Sequence, residues 1–176
     1  MERMKKMGEL MIPLDEYPHV PYWFTLRQVM AVMEKSELYH DVHGRKSLPR
    51  FVLVFDEAYQ LLGIVRRRDL LRGLEPPFMS QANRSGRSLF DIKADPNLAD
   101  ISYDKLIRGM REQAERQVSE VMIPIQATVD AEDAVLKAIY EMVENNVSLL
   151  PVLRDNKVVG VIRSVELFHE ISKLIL

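Results

Sequence analysis

The chain has 176 residues, of which 47% are hydrophobic and 28% are charged, and its formal net charge is -2. This balance is typical of a globular protein with a buried core, and it gives no global attraction to nucleic acid or to an anionic membrane. The chain contains no cysteine, which excludes disulfides, thiol nucleophiles and zinc sites built on thiolates.

The first predicted elements lie between residues 8 and 65. The sequence GELMIP at 8–13 precedes a capping-box pattern of Thr25 and Gln28, which predicts that a helix begins there. Apolar side chains at helical spacing continue that helix: Leu26, Val29, Met30 and Met33. Apolar runs at 51–55 and 61–65, joined by a turn around 56–59, then predict two strands.

Two further segments interrupt or follow these elements. The polar stretch 37–49 has no counterpart later in the chain and is predicted to be a surface-loop insertion. The connection 76–117 is longer than most connections in a compact domain. Residues at helical spacing within it predict one helix over 102–116: Tyr103, Leu106, Ile107, Met110 and Ala114.

The remaining elements repeat the first set. The sequence SEVMIP at 119–124 copies the opening at 8–13, and a helical stripe between Val135 and Val143 follows it. Apolar runs at 149–153 and 158–162 predict two strands, and Ser164 is a predicted cap for a closing helix. A repeat of this kind indicates one duplicated supersecondary unit, and with two copies a closed pair is favoured over an open solenoid.

The two closing motifs carry a family resemblance. The sequences GIVRRRD at 63–69 and GVIRSVE at 160–166 each follow a Met-x-Pro opening in the same order. This order resembles the CBS domain, and two copies in tandem resemble a Bateman module. The resemblance implies an α/β (α+β) fold in which two β-α-β-β-α CBS motifs pack as a pseudo-twofold pair, with a helical linker. The expected division is a first motif at 1–75, including the 37–49 insertion, a linker at 76–117 and a second motif at 118–176.

The resemblance also implies a regulatory module that binds an adenosine nucleotide, or a related ligand, in the clefts between the motifs. Asp69 and Glu166 stand at the acidic position, where the family's carboxylate accepts hydrogen bonds from ribose. Arg66 and Arg163 stand where threonine or serine is usual. Because an arginine fork binds phosphate through two hydrogen bonds, these arginines are expected to meet the phosphates of the ligand.

The base is expected to lie against the starts of the strands at 51–55 and 149–153. The residues expected there are Phe51, Val52, Leu149, Leu150 and Pro151. AMP, ADP, ATP and S-adenosylmethionine are the candidate ligands, and no cofactor or metal ion is required. Glu166 keeps the charge of the usual aspartate but is longer by one methylene, which moves its carboxylate relative to the position that contacts ribose.

A second interpretation stays open. Each arginine is placed to form an ion pair with the carboxylate three residues later at the start of a helix. The clefts would then bind nothing, and the pair would serve as a dimerisation or protein-interaction scaffold. A homodimer is expected under either interpretation, and the sequence does not identify the effector protein.

Other features give weaker signals. His40 and His43 have a spacing compatible with a metal ion, but a polar loop tolerates histidines freely. The arginines at 66–68, 72, 84 and 87 form a basic cluster in the sequence. Because the net charge of the chain is slightly negative, the cluster is interpreted as a solvated face balanced by acidic neighbours and not as a nucleic-acid surface. No Gly-x-x-x-x-Gly-Lys loop or Ser–His–acid set is present, so a non-enzymatic protein is expected. No apolar run is long enough to span a bilayer, and the basic start lacks the apolar core of a secretion signal, so the expected location is the cytoplasm.

Overall fold

The computed structural model describes residues 3–36, 48–78 and 103–176. The first half contains α1 (Met7–Leu10), β1 (Ile12–Pro13), β2 (His19–Pro21), α2 (Leu26–Lys35), β3 (Phe51–Phe55), β4 (Leu61–Arg66) and α3 (Arg67–Gly73). The second half contains α4 (Tyr103–Gln113), β5 (Ile123–Pro124), β6 (Val129–Asp130), α5 (Val135–Asn145), β7 (Leu149–Arg154), β8 (Lys157–Arg163) and α6 (Ser164–Ile175). Most of the predicted insertion and the middle of the linker lie outside the described residues, and His40, His43, Arg84 and Arg87 lie there with them.

The strands form two four-stranded sheets of the same topology, with orders β2-β3-β4-β5 and β1-β8-β7-β6. In each sheet one pair is parallel and the others are antiparallel. Helices cover the outer faces, as the cluster of Val29, Val52 and Leu70 shows on the first sheet and that of Val135, Leu150 and Leu167 on the second. The expected α+β architecture of two repeated units is confirmed.

The opening strands are exchanged between the repeats. Strand β1 pairs with β8 of the other repeat, where Ile12 lies opposite Val161. Strand β5 pairs with β4 in the same way, where Ile123 lies opposite Ile64. Each Met-Ile-Pro sequence therefore completes the sheet of the repeat that it does not begin.

One glycine in each closing motif makes this exchange sterically feasible. A methyl group on Gly63 would lie 2.5 Å from the carbonyl oxygen of Ile123, and one on Gly160 would lie closer still to the carbonyl oxygen of Ile12. Both neighbours are backbone atoms of the exchanged strand, so they cannot move aside as a flexible side chain can. The glycines of the two closing motifs are thus required where the opposite strand crosses.

The two sheets share a third buried cluster between their inner faces. It contains residues from both repeats: Ile12, Tyr17, Leu53, Phe55, Ile64, Leu149 and Val161. The repeats are therefore halves of one body with sheet-to-sheet contact. The exchange extends to the outer cores as well, because Met7 is fully buried in the cluster of the second repeat and Val118 in that of the first.

The helix boundaries follow local capping chemistry. The predicted box at α2 is confirmed, because the Thr25 hydroxyl oxygen accepts from the Gln28 N–H at 3.2 Å and the Gln28 side chain accepts from the Thr25 N–H at 2.9 Å. The prediction that Ser164 caps the last helix is wrong by one residue, since Arg163 is the N-cap and Ser164 is already helical. The N-cap amide is held by the Glu166 carboxylate instead. Helix α4 is confirmed at Tyr103–Gln113, slightly shorter than predicted.

Candidate ligand-binding clefts

Arg66 and Arg163 end the two central strands and stand at the edge of the layer between the sheets. Alternate residues of a strand share a face. Arg66 thus shares its face with Ile64, and Arg163 shares its face with Val161, both of which belong to the cluster between the sheets. Each arginine is also the N-cap of the helix that follows. The closing motifs therefore bring one arginine and one carboxylate to each of two equivalent places.

Asp69 is held by Arg66 through three hydrogen bonds. The Arg66 backbone N–H and Nε each donate to Oδ2 at 2.9 Å, and Nη2 donates to Oδ1 at 3.0 Å. The Asp69 side chain is 1% exposed, and that of Arg66 is 32% exposed. Burial raises the pKa of Asp69, but the hydrogen bonds and charge of Arg66 outweigh it and hold that pKa below the ordinary value.

Glu166 is held by Arg163 in the same arrangement. The Arg163 backbone N–H donates to Oε2 at 2.9 Å, and Nε donates to Oε1 at 2.9 Å and to Oε2 at 3.1 Å. Nη2 also donates to Oε1. Here both side chains are well buried, with Glu166 7% and Arg163 16% exposed. The structure therefore contains the i, i+3 ion pairs that the second interpretation of the sequence anticipated.

The cleft beside β7 combines elements of both repeats. Leu149 and Pro151 line it together with Ile64 of the first repeat and residues 123–127 of the exchanged segment. Its volume is about 30 Å³, which is room for about one water molecule. In this conformation the cleft does not have the space that a nucleotide base needs.

Two of the predicted base-flanking residues have side chains on the other face of their strands. Val52 is buried in the cluster between the first sheet and its helices, and Leu150 in the equivalent cluster of the second repeat. Phe51 and Leu149, by contrast, contact the cluster between the sheets. The side chains that the structure brings to the clefts are therefore those of Phe51, Leu149 and Pro151.

Sequence reasoning missed one buried residue between the sheets, Tyr17. Its side chain is buried in the cluster between the sheets. Burial raises the pKa of Tyr17 above the ordinary value, while the positive charge of Arg163 and the Phe51 backbone oppose the rise and Glu166 adds to it. Tyr17 thus lies where the start of β3 meets the Arg163–Glu166 pair. A single tyrosine after a polar turn has no periodicity, so the sequence held no signal for it.

The other features of the sequence have structural roles in the described part of the chain. Arg67 of the basic cluster donates to the Pro49 carbonyl at 3.2 Å. Tyr22 and Phe24 pack against the core of the first repeat, and the Tyr22 ring meets the Trp23 ring edge-on at 5.2 Å.

Among the described residues no group of three His, Cys, Asp or Glu side chains could hold a metal ion. No helix there is both long and apolar enough to cross a membrane.

With this geometry in place, comparison with known proteins shows what the chain is similar to. Residues 118–173 match the family model of the CBS domain. No curated protein matches the chain in sequence. The match lies on the second repeat, and the first repeat has the same sheet topology.

Solved structures of CBS pairs align with almost the whole chain. The CBS domain of a CBS domain-containing membrane protein from Sphaerobacter thermophilus is 22% identical with a TM-score of 0.63, over 94% of this chain and 87% of that one. CBSX2, a CBS-pair protein of Arabidopsis thaliana, is 16% identical in its complex with AMP, with a TM-score of 0.61, over 98% and 99% of the two chains. The cytosolic domain of the Mg²⁺ channel MgtE in complex with ATP is 17% identical with a TM-score of 0.58, over 93% of this chain and 48% of that one. At these identities the likeness shows the fold.

Proposed function

We propose that the chain is a regulatory module, and not an enzyme, that senses an adenosine nucleotide in the clefts between its two repeats. One observation carries the proposal: each closing motif holds a guanidinium and a carboxylate side by side, at the end of a central strand. These are the groups that a phosphate and a ribose diol require. Two solved CBS pairs of the same fold, complexed with AMP and with ATP, add support.

In the proposed complex Asp69 and Glu166 accept hydrogen bonds from ribose hydroxyls, and Arg66 and Arg163 donate to phosphate. The base would contact Phe51 in one cleft, and Leu149 with Pro151 in the other. Each arginine is already bonded to its carboxylate, so the ligand must exchange an internal ion pair for contacts of its own. The small volume beside Leu149 means that binding also requires the two sheets to move apart locally.

The same geometry favours a second candidate function, a scaffold with closed clefts. Both arginines lie across their carboxylates, and the described cleft beside β7 has a volume of about 30 Å³. Under this proposal the ion pairs are permanent and fix the starts of α3 and α6. The module would then act through its surfaces alone.

We further propose that the chain is a homodimer. Helices α5 and α6 contact one another and carry large apolar side chains that are 48–76% exposed: Leu136, Tyr140, Val143, Val165, Phe168 and Ile175. Large apolar side chains exposed together on two adjacent helices are typical of a protein–protein interface. Sedimentation equilibrium at micromolar protein should give twice the chain mass, and Phe168→Asp should shift it toward the monomer. A monomeric wild-type chain would contradict this proposal.

Thermal unfolding in the presence of ligand distinguishes sensing from scaffolding. We expect AMP, ADP, ATP or S-adenosylmethionine at millimolar concentration to raise the melting temperature, since a ligand at 100 times its Kd stabilises the native state by about 2.7 kcal/mol. Asp69→Ala should remove most of the shift that its cleft contributes, whereas the exposed Asp15→Ala serves as a matched control. If none of the four compounds shifts the melting temperature, the scaffold is the better account.

A further inference from the structure

Another cavity lies at the outer edge of the second repeat, away from the closing motifs. Its volume is about 310 Å³, and its lining comes from the start of α1, the turn after β6 and the end of β7. Arg154 ends β7, whereas Leu149, which lies opposite Arg163, begins it. Because a strand rises about 3.3 Å per residue, about 17 Å separates these two ends. The cavity is therefore distinct from the proposed nucleotide clefts.

Backbone hydrogen bonds fix the shape of this cavity. The Gly8 N–H donates to the Ala131 carbonyl at 2.8 Å, and the Met7 N–H donates to the Asp133 carbonyl at 3.0 Å. Met7 is also fully buried in the core of the second repeat, which holds the opening segment in place. The Arg154 guanidinium comes within 3.0 Å of the position that a methyl group on Gly8 would take. The absence of a side chain at Gly8 thus lets this cation lie against α1.

The charged side chains of the lining carry an excess of positive charge. Three cations and two carboxylates face the cavity, although the net charge of the whole chain is -2: Arg3, Lys6, Arg154, Glu9 and Glu132. Arg3 pairs with Glu9 at 2.7 Å, and Lys6 pairs with Glu132. Within the described ranges the Arg154 side chain has no hydrogen bond or ion pair. One of the three cations is therefore available to an anion without any exchange.

The two ion pairs of the lining can be exchanged for a ligand at little cost. All four of their side chains are 44–73% exposed. Exposed pairs of this kind contribute little to stability, and each released carboxylate can turn into water. The turn after β6 carries two more carboxylates, but Asp130 and Asp133 accept from backbone N–H groups of that turn at 2.9 and 2.8 Å. An anion in the cavity therefore meets cations whose present partners are easily replaced.

We propose that this cavity binds a small polyanion of the diphosphate type. Arg154 supplies a planar fork that bonds one phosphate through two N–H groups, and Arg3 and Lys6 supply positive charge from the segment before α1. A single phosphate fills only part of the volume, whereas two linked phosphates can contact Arg154 and the opening segment together. This site is separate from the clefts, so it does not depend on the proposed sensing function.

Isothermal titration of the full chain with inorganic pyrophosphate, in metal-free buffer at constant ionic strength, tests the inference. We expect one site per chain with a Kd below about 1 mM, and binding of sulfate that is at least about tenfold weaker. Arg154→Met should weaken pyrophosphate binding at least about fivefold through the loss of a charge-assisted contact. Because Arg154 is exposed, the variant should melt like the wild type.

Lys157→Met is the matched control. Lys157 lies opposite Arg154 in the β7–β8 hairpin and is also exposed, yet it lines a different cavity. This variant removes the same charge from the same hairpin and should leave the Kd for pyrophosphate unchanged. If it weakens binding as much as Arg154→Met does, the attraction is a general effect of charge and the inference is overturned.

The remaining outcomes are equally decisive. Wild-type affinity in Arg154→Met would place the anion elsewhere on the chain and overturn the site. Sulfate that binds as tightly as pyrophosphate would overturn the preference for two linked anionic groups. No saturable binding at about 10 mM pyrophosphate, ten times the expected upper limit of the Kd, would overturn the inference as a whole. None of these results bears on the clefts, so the sensing function stands or falls by its own experiment.

Discussion

Replacing Gly63 by alanine tests whether the repeats truly exchange their opening strands. The added methyl group would lie 2.5 Å from the carbonyl oxygen of Ile123 and 3.2 Å from the Met122 sulfur. Because a carbon and a carbonyl oxygen in close contact stay about 3.3 Å apart, the exchanged strand would have to move by about 0.8 Å. The oxygen belongs to the backbone of β5, so this displacement disturbs its pairing with β4.

The expected cost follows from this displacement. Forcing one extra carbon into a well-packed site costs about 1–3 kcal/mol, and loss of strand pairing places the variant at the upper end, about 2–3 kcal/mol. For a chain of this length that corresponds to a fall of about 4–12 °C in melting temperature. Circular dichroism during thermal and urea unfolding measures both quantities. Gly160→Ala, at the equivalent crossing of β1, should behave alike.

Gly8→Ala is the control for this experiment. The methyl group would there meet the Arg154 guanidinium at 3.0 Å, and that flexible side chain can move away. It would also lie 3.2 Å from the Ala131 carbonyl oxygen and 3.3 Å from the Ala131 Cβ, which need to move by only a few tenths of an ångström. Alanine is also favoured over glycine within a helix, so the variant should unfold within about 1 kcal/mol of the wild type. Should Gly63→Ala and Gly160→Ala also lie within about 0.5 kcal/mol of the wild type, the exchanged strands cannot cross where the structure places them.

Two further predictions concern the ion pair and the repeats. Asp69→Asn should lower the free energy of unfolding by about 1–3 kcal/mol at pH 7. Arg66 lowers the pKa of Asp69 in the folded chain below its ordinary value of 3.8. The stabilisation of the folded state by the Asp69 carboxylate is therefore complete above that ordinary value. It is lost as the pH falls through the native pKa, so the difference between variant and wild type in urea unfolding should shrink below about pH 4. Residues 118–176 alone should show no cooperative unfolding transition, because the core of that repeat requires Met7 and its sheet requires β1. A sharp transition in this fragment would contradict the exchange.

The sequence predicted the elements whose signals are local. Continuous apolar runs located β3, β4, β7 and β8, and the Thr25 box located the start of α2. These continuous runs do not show which side chains face the helices and which face the other sheet, because strands covered on both sides have no alternation of apolar and polar residues. Val52 and Leu150 were therefore predicted beside the ligand although their side chains face the helices.

Non-local features could not be predicted from the sequence in the same way. The exchanged strands are two residues long, and nothing within Ile12–Pro13 specifies which sheet they join. Gly63 and Gly160 are required by the exchanged strands that cross them, but that requirement is visible only in the structure. Tyr17 is a comparable case, since its burial arises from residues far away in the chain. The Arg–carboxylate pairs were anticipated because their spacing of three residues is local.

The exchange bears on how the proposed sensing could produce an output. Each cleft combines the two repeats, and the exchanged strands tie each repeat into the sheet of the other, so the halves cannot separate as hinged bodies. Under the proposed sensing function a ligand would act first on the first turn of α6, where Glu166 holds Arg163 in the free protein. Val165 and Phe168 of that same segment belong to the exposed apolar surface of the proposed dimer. A ligand shifts an equilibrium only by its difference in affinity for two states. The first turn of α6 belongs both to the ion pair at the cleft and to the proposed dimer surface, so a change in its conformation would affect dimerisation. AMP should therefore change the dimer dissociation constant of the wild type but not that of Arg163→Met, and an equal effect on both would exclude this route.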